Sequence, residues 1–122
     1  MCGRFAQFSV LETLQQSFPI DTVACDVEPS FNIAPTQEIL TIAHENDYRL
    51  TRRHWGLVPF WAKDLSGASR LINARAETAA KKPSFRNAFK NRRCLILADG
   101  FYEWQKADGR KQPYFLTLTS KE

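Results

Sequence analysis

Cys2 is the residue whose type and position suggest the most chemistry, because removal of Met1 would make it the amino terminus. It would then carry two nucleophiles on adjacent carbons, an α-amine and a thiol. Amines form Schiff bases with carbonyl compounds, and the thiol on the neighbouring carbon can add to the imine and close a thiazolidine ring. An acyl-transfer role fits as well, with the amine as the base. A Met-Cys start also arises by chance, so the rest of the chain must decide.

Charge is distributed unevenly along the sequence. Residues 1–47 hold seven acidic groups and a single base, Arg4, whereas residues 48–122 hold sixteen bases and six acids, so the two parts have net charges of −6 and +10. Basic stretches at 49–53 and 81–93 could line a groove that follows a phosphate backbone. Taken without other evidence, these basic stretches fit a solvated surface somewhat better than a DNA-binding groove.

Composition limits the classes of protein that fit. A chain of 122 residues with 43% hydrophobic and 25% charged residues predicts one globular domain, residues 1–122. No apolar run has the length of a membrane span and no signal peptide is visible, so we expect a cytoplasmic protein. The three cysteines, Cys2, Cys25 and Cys94, lack C-x-x-C spacing and favour neither a disulfide framework nor a metal site. We expect no metal and no cofactor, and we expect Cys94, in an apolar run, to lie in the core.

The first half of the sequence predicts one helix and one β-hairpin. Ser9 and Glu12 form a capping box for a helix with one apolar face, and Pro19 ends it. Residues 20–36 are predicted to form a loop. Two strands, at 38–43 and 48–55, flank the turn-forming residues 45–47 and predict a hairpin.

The second half predicts an irregular aromatic loop followed by alternating short elements. Gly and Pro interrupt the segment Trp55–Trp61, so we expect a loop there. Side chains alternate across a strand, so Glu103 and Trp104 should point to opposite faces of theirs. The further predicted elements are a strand at 71–75, helices at 77–82 and 83–89, a buried strand at 93–98, and a hairpin of strands 101–106 and 113–119 around Asp108-Gly109.

Five motifs in one order carry a resemblance to a known family. They are Met-Cys-Gly-Arg-Phe at 1–5, Phe-Asn-Ile-Ala-Pro-Thr at 31–36, the aromatic loop 55–61, Ile-Asn-Ala-Arg-Ala-Glu-Thr at 72–78 and Ala-Asp-Gly-Phe-Tyr-Glu-Trp at 98–104. Over the whole chain they resemble the SRAP (SOS response-associated peptidase) family of abasic-site processing proteins. With the order of elements, the resemblance implies an α+β fold with a mainly antiparallel, curved or barrel-like β-sheet and a few short helices.

The resemblance also implies an activity and roles for individual residues. Proteins of this family remove Met1, bind single-stranded DNA and link the N-terminal cysteine covalently to the aldehyde of a ring-opened abasic site, in the DNA damage response. The resemblance thus implies an enzyme with crosslinking, lyase-like activity and an autoproteolytic or peptidase-like removal of Met1, associated with the nucleoid if bacterial. The resemblance also implies roles for individual residues. Cys2 would be the catalytic nucleophile, Asn73 would hydrogen-bond the opened sugar or hold the Cys2 amine, and Glu103 would shuttle protons. The implied DNA-binding residues are Arg4, Asn32, Pro35, Trp61 and Arg75, with the two arginines on phosphates and Trp61 with Pro35 as a wedge that stacks on a base. A core role for Trp55 is at least as well supported as a DNA contact.

Other interpretations remain open at the level of sequence. Taken singly, Asn73 could satisfy backbone groups of a turn and Glu103 could be a surface carboxylate. An N-terminal-nucleophile amidohydrolase of the glutaminase type also begins Met-Cys-Gly, and a non-catalytic single-stranded DNA-binding module would use the arginines and tryptophans alone. The family's second half supplies a catalytic His, which neither His44 nor His54 matches. We therefore expect the N-terminal part of an SRAP-like domain, with an incomplete sheet.

Overall fold

Short strands make up most of the regular structure in the computed structural model, which describes residues 2–120. In chain order the elements are β1 (Phe5–Gln7), α1 (Leu11–Ser17), β2 (Thr22–Val23), β3 (Ser30–Ile33), β4 (Glu38–His44), β5 (Tyr48–His54), a 3-10 turn (Ala68–Arg70), α2 (Ala76–Ala79), α3 (Pro83–Asn91), β6 (Cys94–Ile96), β7 (Gly100–Ala107) and β8 (Arg110–Leu116).

The strands form two four-stranded sheets. One has the order β3-β1-β7-β8 and the other β2-β5-β4-β6. Every pairing is antiparallel except that of β2 with β5. The α+β, mainly antiparallel fold is thus confirmed, as are the two hairpins β4–β5 and β7–β8. Among the described residues the strands form two open sheets in place of one closed barrel.

Two apolar clusters support these sheets, and β4 contributes to both. Its middle five residues are all buried. Leu40 and Ile42 join the cluster beneath α1, whereas Ile39 joins a second cluster. That second cluster consists of Phe5, Ile33, Ile39 and Trp55, with Cys2 and Ile72 packed against it. Burial of a side chain of this size contributes about 1.5–3 kcal/mol, so the cluster holds the N-terminal strand firmly in place.

The predicted capping box is wrong, although the helix itself is confirmed. The N-cap of α1 is Val10, without a side-chain cap. The Ser9 hydroxyl instead donates to Asp99 Oδ1, and the backbone N–H groups of Phe8 and Ser9 donate to Asp99 Oδ2 at 2.6 and 2.9 Å. Hydrogen bonds to a carboxylate are stronger than neutral ones, so the Ser9 hydroxyl bonds to this distant acid and does not accept from the first turn of α1.

Two predictions in the loops are also wrong. The predicted loop 20–36 contains β2 and β3, which add to the edges of sheets whose other strands lie far away in sequence. The predicted strand 71–75 is irregular. Its backbone carbonyls instead accept hydrogen bonds from the aromatic loop. Leu57 N donates to Leu71 O at 2.9 Å, and the Trp55 indole donates to Ile72 O at 2.9 Å.

The strand predicted at 93–98 is shorter and more exposed than expected. β6 covers Cys94–Ile96 and lies at the edge of its sheet. Leu95 and Ile96 are 53% and 52% exposed, and Cys94 is exposed as well, which corrects its predicted core position. Only Leu97 of this run is buried. An apolar run predicts burial only where another layer covers both of its faces.

Candidate functional site

Cys2 lies half-buried in the irregular segment that leads into β1. It packs against the cluster around Phe5 and Trp55, and its Sγ is 3.8 Å from the Arg4 carbonyl oxygen. Asn73 Nδ2 donates a hydrogen bond of 2.7 Å to the carbonyl oxygen of Cys2. The apolar packing fixes one side of the residue and the amide fixes its backbone, so Cys2 is held in a defined position.

Arg4 joins the strands on either side of β1. Its Nη1 donates to Asn32 Oδ1 on β3 at 2.9 Å, and its carbonyl oxygen accepts from Tyr102 N on β7 at 2.9 Å. The Tyr102 hydroxyl donates in turn to Phe31 O at 2.8 Å. Arg4 Nε is buried and has no hydrogen-bond partner within residues 2–120. One N–H of the guanidinium therefore lies buried and unpaired among the described residues.

Glu103 reaches this region from β7. In the β1–β7 pairing Phe5 lies opposite Phe101, and the two strands run antiparallel. The bond from Tyr102 N to Arg4 O continues that pairing, so Glu103 follows towards the start of the chain. Glu103 is half-buried, whereas Trp104, on the opposite face of the strand, is 45% exposed.

Backbone hydrogen bonds connect the turn that carries Pro35 to the start of the aromatic loop. Gln37 N donates to Ala34 O at 3.3 Å to close the turn. Thr36 N donates to Trp55 O at 2.9 Å, and Trp55 N donates to Gln37 O at 2.9 Å. Two backbone bonds therefore couple the position of Pro35 to that of the loop beyond Trp55.

The aromatic loop separates a buried tryptophan from an exposed one. Trp55 is 7% exposed and meets Phe5 edge-on, with ring centroids 5.2 Å apart, which confirms the core interpretation. Trp61 is 51% exposed and packs edge-on against Phe60 at 4.9 Å. Gly56 has a φ of +132°, and a Cβ there would lie 2.6 Å from Ala68 O. Only glycine allows the loop to leave Trp55 in this direction.

Arg75 is exposed at the N-cap of α2, two residues after Asn73. Within residues 2–120 its side chain makes no hydrogen bond or ion pair. The structure thus brings Cys2 together with Asn73, and Arg4 together with Asn32. Within the same range, neither Trp61 nor Arg75 hydrogen-bonds to another of the predicted site residues.

The thiols of Cys25 and Cys94 both have a raised pKa. Burial raises the pKa of Cys25 above the reference value of 9.0, against the opposing effect of the Arg52 guanidinium. Desolvation also raises the pKa of the Cys94 thiol, although the residue as a whole is exposed. Both sulfurs hold their protons more tightly than a free thiol, which lowers their nucleophilic fraction at neutral pH.

Sequence reasoning missed Asp99 and Tyr102 as supports of the site. Asp99 accepts the bonds from Phe8 and Ser9 just after β1, and Tyr102 bonds to the backbone of both neighbouring segments. Their only signal in the sequence was membership of the motif 98–104.

Among the described residues no group of three His, Cys, Asp or Glu side chains is placed to hold a metal ion, and none of the helices is long and apolar enough to cross a membrane.

Comparison with known proteins places this arrangement among relatives. The model of one family, described as SOS response associated peptidase (SRAP), matches residues 1–122. The abasic site processing protein YoqW of Bacillus subtilis is 46% identical over 124 residues, which cover 98% of this chain and 55% of YoqW. The abasic site processing protein YedK of Escherichia coli is 34% identical, with 95% of this chain and 53% of YedK covered. The chain thus spans about half the length of these curated relatives.

Solved structures share the same fold. A protein from Bordetella bronchiseptica superposes with a TM-score of 0.80 at 25% identity, covering 97% of this chain and 58% of that one. A protein from Bacteroides thetaiotaomicron superposes with a TM-score of 0.65 at 25% identity, covering 94% and 47%. The two-sheet arrangement is therefore a recurrent one.

Proposed function

Because the chain belongs to the SOS response associated peptidase (SRAP) family, we propose that it processes abasic sites in DNA, as the names of its relatives state for those proteins. In this proposal Cys2, exposed by removal of Met1, forms a covalent bond with the aldehyde of the abasic sugar. The observation that supports it best is the 2.7 Å bond from Asn73 to the Cys2 carbonyl, which orients a terminal nucleophile at the protein surface.

The proposed reaction forms two bonds to the aldehyde carbon, one from nitrogen and one from sulfur, and needs a group that carries protons. The Cys2 amine attacks the aldehyde carbon and water leaves, which produces an imine. The thiol then adds to the imine carbon, and its proton passes to the nitrogen, which closes a thiazolidine. Glu103 is the proposed proton carrier for sugar opening and loss of water, because β7 brings its carboxylate towards the chain start. Lyase-like strand cleavage from the imine and peptidase-like removal of Met1 belong to the same proposal.

DNA binding is assigned in this proposal to residues around the nucleophile. Arg4, oriented by its bond to Asn32, suits a phosphate next to the lesion. Arg75 is exposed and unpaired among the described residues, so it suits a second phosphate. Trp61 offers an exposed ring, and Pro35 lies on the turn bonded to the start of its loop. Base stacking of this kind favours single-stranded DNA.

The test is a covalent-adduct assay with a matched cysteine control. The chain is incubated with a single-stranded oligonucleotide that contains one abasic site, and the products are separated on a denaturing gel. We expect an adduct for the parent and for Cys94→Ser, which removes another surface thiol, and none for Cys2→Ala. Intact mass spectrometry shows whether Met1 has been removed in the sample. An adduct of parental yield with Cys2→Ala would refute the thiazolidine mechanism.

The same assay separates the proposal from its two rivals. A non-catalytic DNA-binding module would bind the oligonucleotide and give no covalent band. An amidohydrolase would release ammonia from glutamine and ignore the abasic site.

A further inference from the structure

The segment from the end of α2 to β6 is strongly basic. Residues 78–98 contain six cations and no acid. We call these six side chains, all exposed, the basic segment: Lys81, Lys82, Arg86, Lys90, Arg92 and Arg93. Neither the contacts of Cys2 nor the motifs of the proposed site use any of them.

No carboxylate within residues 2–120 pairs with a cation of the basic segment. Elsewhere Arg49 and Arg53 lie 3.6 and 3.1 Å from the carboxylates of Asp47 and Glu45. Within residues 2–120, by contrast, none of the six cations forms an ion pair or donates a side-chain hydrogen bond. Apart from Arg93, which lies over the Phe89 ring, these charges meet only solvent and ions in the described part of the chain, and an external polyanion would gain from replacing those ions.

The surface of α3 offers the matching shape. An open depression of about 590 Å³ is lined by Arg86, Asn87, Phe89, Lys90 and Asn91, together with Ala80. The Arg93 guanidinium lies 5.5 Å from the centroid of the Phe89 ring. Cations and amides donate hydrogen bonds to phosphate oxygens, and an exposed ring accepts a sugar or base against its face. This combination fits a nucleic-acid backbone better than it fits an apolar partner.

The position of the basic segment along the chain links it to the proposed site. Asn73, which holds Cys2, lies three residues before α2 begins at Ala76, and α3 follows at once. The nine residues of α3 span about 13–14 Å at 1.5 Å per residue. A helix of that length can face more than one phosphate of a DNA strand. The basic segment therefore begins eight residues after Asn73, the residue whose side chain bonds to Cys2.

We propose that the basic segment is a second DNA contact, which binds the phosphate backbone beside the abasic site and acts independently of Cys2. The inference rests on the proposed function for its choice of DNA as the polyanion. It assigns a task to residues outside the motifs on which the resemblance rests.

The test is the salt dependence of binding to an undamaged single-stranded oligonucleotide, where no adduct can form. The double variant Arg86→Gln/Lys90→Gln is compared with Lys106→Gln/Lys111→Gln, which removes two exposed cations that face each other on the β7–β8 hairpin. Each phosphate contact contributes about 0.7 to the slope of log affinity against log salt on single strands. We expect the α3 variant to lower the slope by about 1.4, so that between 50 and 200 mM salt the parent loses roughly sevenfold more affinity than this variant. The hairpin variant should keep the parental slope.

Several results would overturn the inference. Equal slopes for the parent and the α3 variant would do so, as would an equal change in the hairpin variant, because net charge would then explain the effect. Loss of binding to phosphatidylserine vesicles in the α3 variant, with DNA binding intact, would reassign the surface to an anionic membrane. The adduct assay separates this inference from the proposed function: an adduct with an unchanged slope refutes the basic segment alone, and a changed slope without an adduct refutes the crosslinking alone.

Discussion

Replacement of Asn73 by Ala should slow covalent adduct formation without abolishing it. The change removes the donor of the 2.7 Å bond to the Cys2 carbonyl, a partly buried bond between residues 71 apart in sequence. Loss of such a bond costs about 1 kcal/mol, and about 3 kcal/mol if the carbonyl is left without a partner. If that cost falls on the positioning of Cys2, the rate should drop roughly 5- to 160-fold, at tenfold per 1.36 kcal/mol.

The assay is a single-turnover time course of adduct formation at saturating abasic oligonucleotide. Asn73→Asp keeps the shape of the side chain but turns an acceptor towards the carbonyl, so it should be at least as slow as Asn73→Ala. Asn46→Ala, in the exposed β4–β5 turn, is the matched control and should keep the parental rate. Parental rates for both Asn73 variants, with DNA binding unchanged, would refute the view that this amide positions the nucleophile.

Further outcomes follow from other parts of the structure. Gly56→Ala should lower the midpoint of urea unfolding by the equivalent of about 1–3 kcal/mol, since its Cβ would lie 2.6 Å from Ala68 O at a positive φ; an unchanged midpoint would contradict the required geometry. Cys25 and Cys94 should react with iodoacetamide more slowly than a free thiol near neutral pH, because their raised pKa values leave less thiolate until the pH rises; equal rates for a model peptide would argue against desolvation. Trp61→Ala should weaken binding to single strands by about 1–3 kcal/mol in a titration if its exposed ring stacks on a base, and unchanged affinity would leave it a structural residue. A chain extended by the second half of its relatives should form the adduct about 10²–10⁴-fold faster if a family histidine assists the chemistry; indistinguishable time courses would show that this histidine is dispensable.

Local patterns in the sequence were sufficient for the hairpins and the helices. The turn residues at 45–47 and at Asp108-Gly109 lie between alternating strands, and both hairpins form as predicted. Burial was harder to predict, because it depends on neighbours that a local pattern does not contain. Leu95 and Ile96 have the composition of a core strand and are nevertheless half exposed at the edge of a sheet.

The site shows the same division between local and distant information. Cys2 could be singled out by its chemistry and by its motif. The carboxylate that binds Phe8 and Ser9 belongs to Asp99, about ninety residues away, and no spacing in the sequence indicates that pairing. The prediction of a strand at 71–75 was wrong for a related reason. Backbone carbonyls of this segment accept hydrogen bonds from Trp55 and Leu57, and the segment does not pair in a sheet.

The pairing of β1 with β7 also has a consequence for the order of events during synthesis. The strand after Cys2 gains its central partner only when Gly100 and Phe101 have been made. At about 5–20 residues per second, the start of the chain waits roughly 5–20 s for that partner. Throughout this interval β1 lacks its partner strand β7, so a processing enzyme at the ribosome meets an N-terminal segment that has not yet folded. Nascent chains stalled before residue 99 therefore distinguish two routes: a processing enzyme would already have removed Met1 from them, whereas a chain that removes its own Met1 would keep it until β7 is complete.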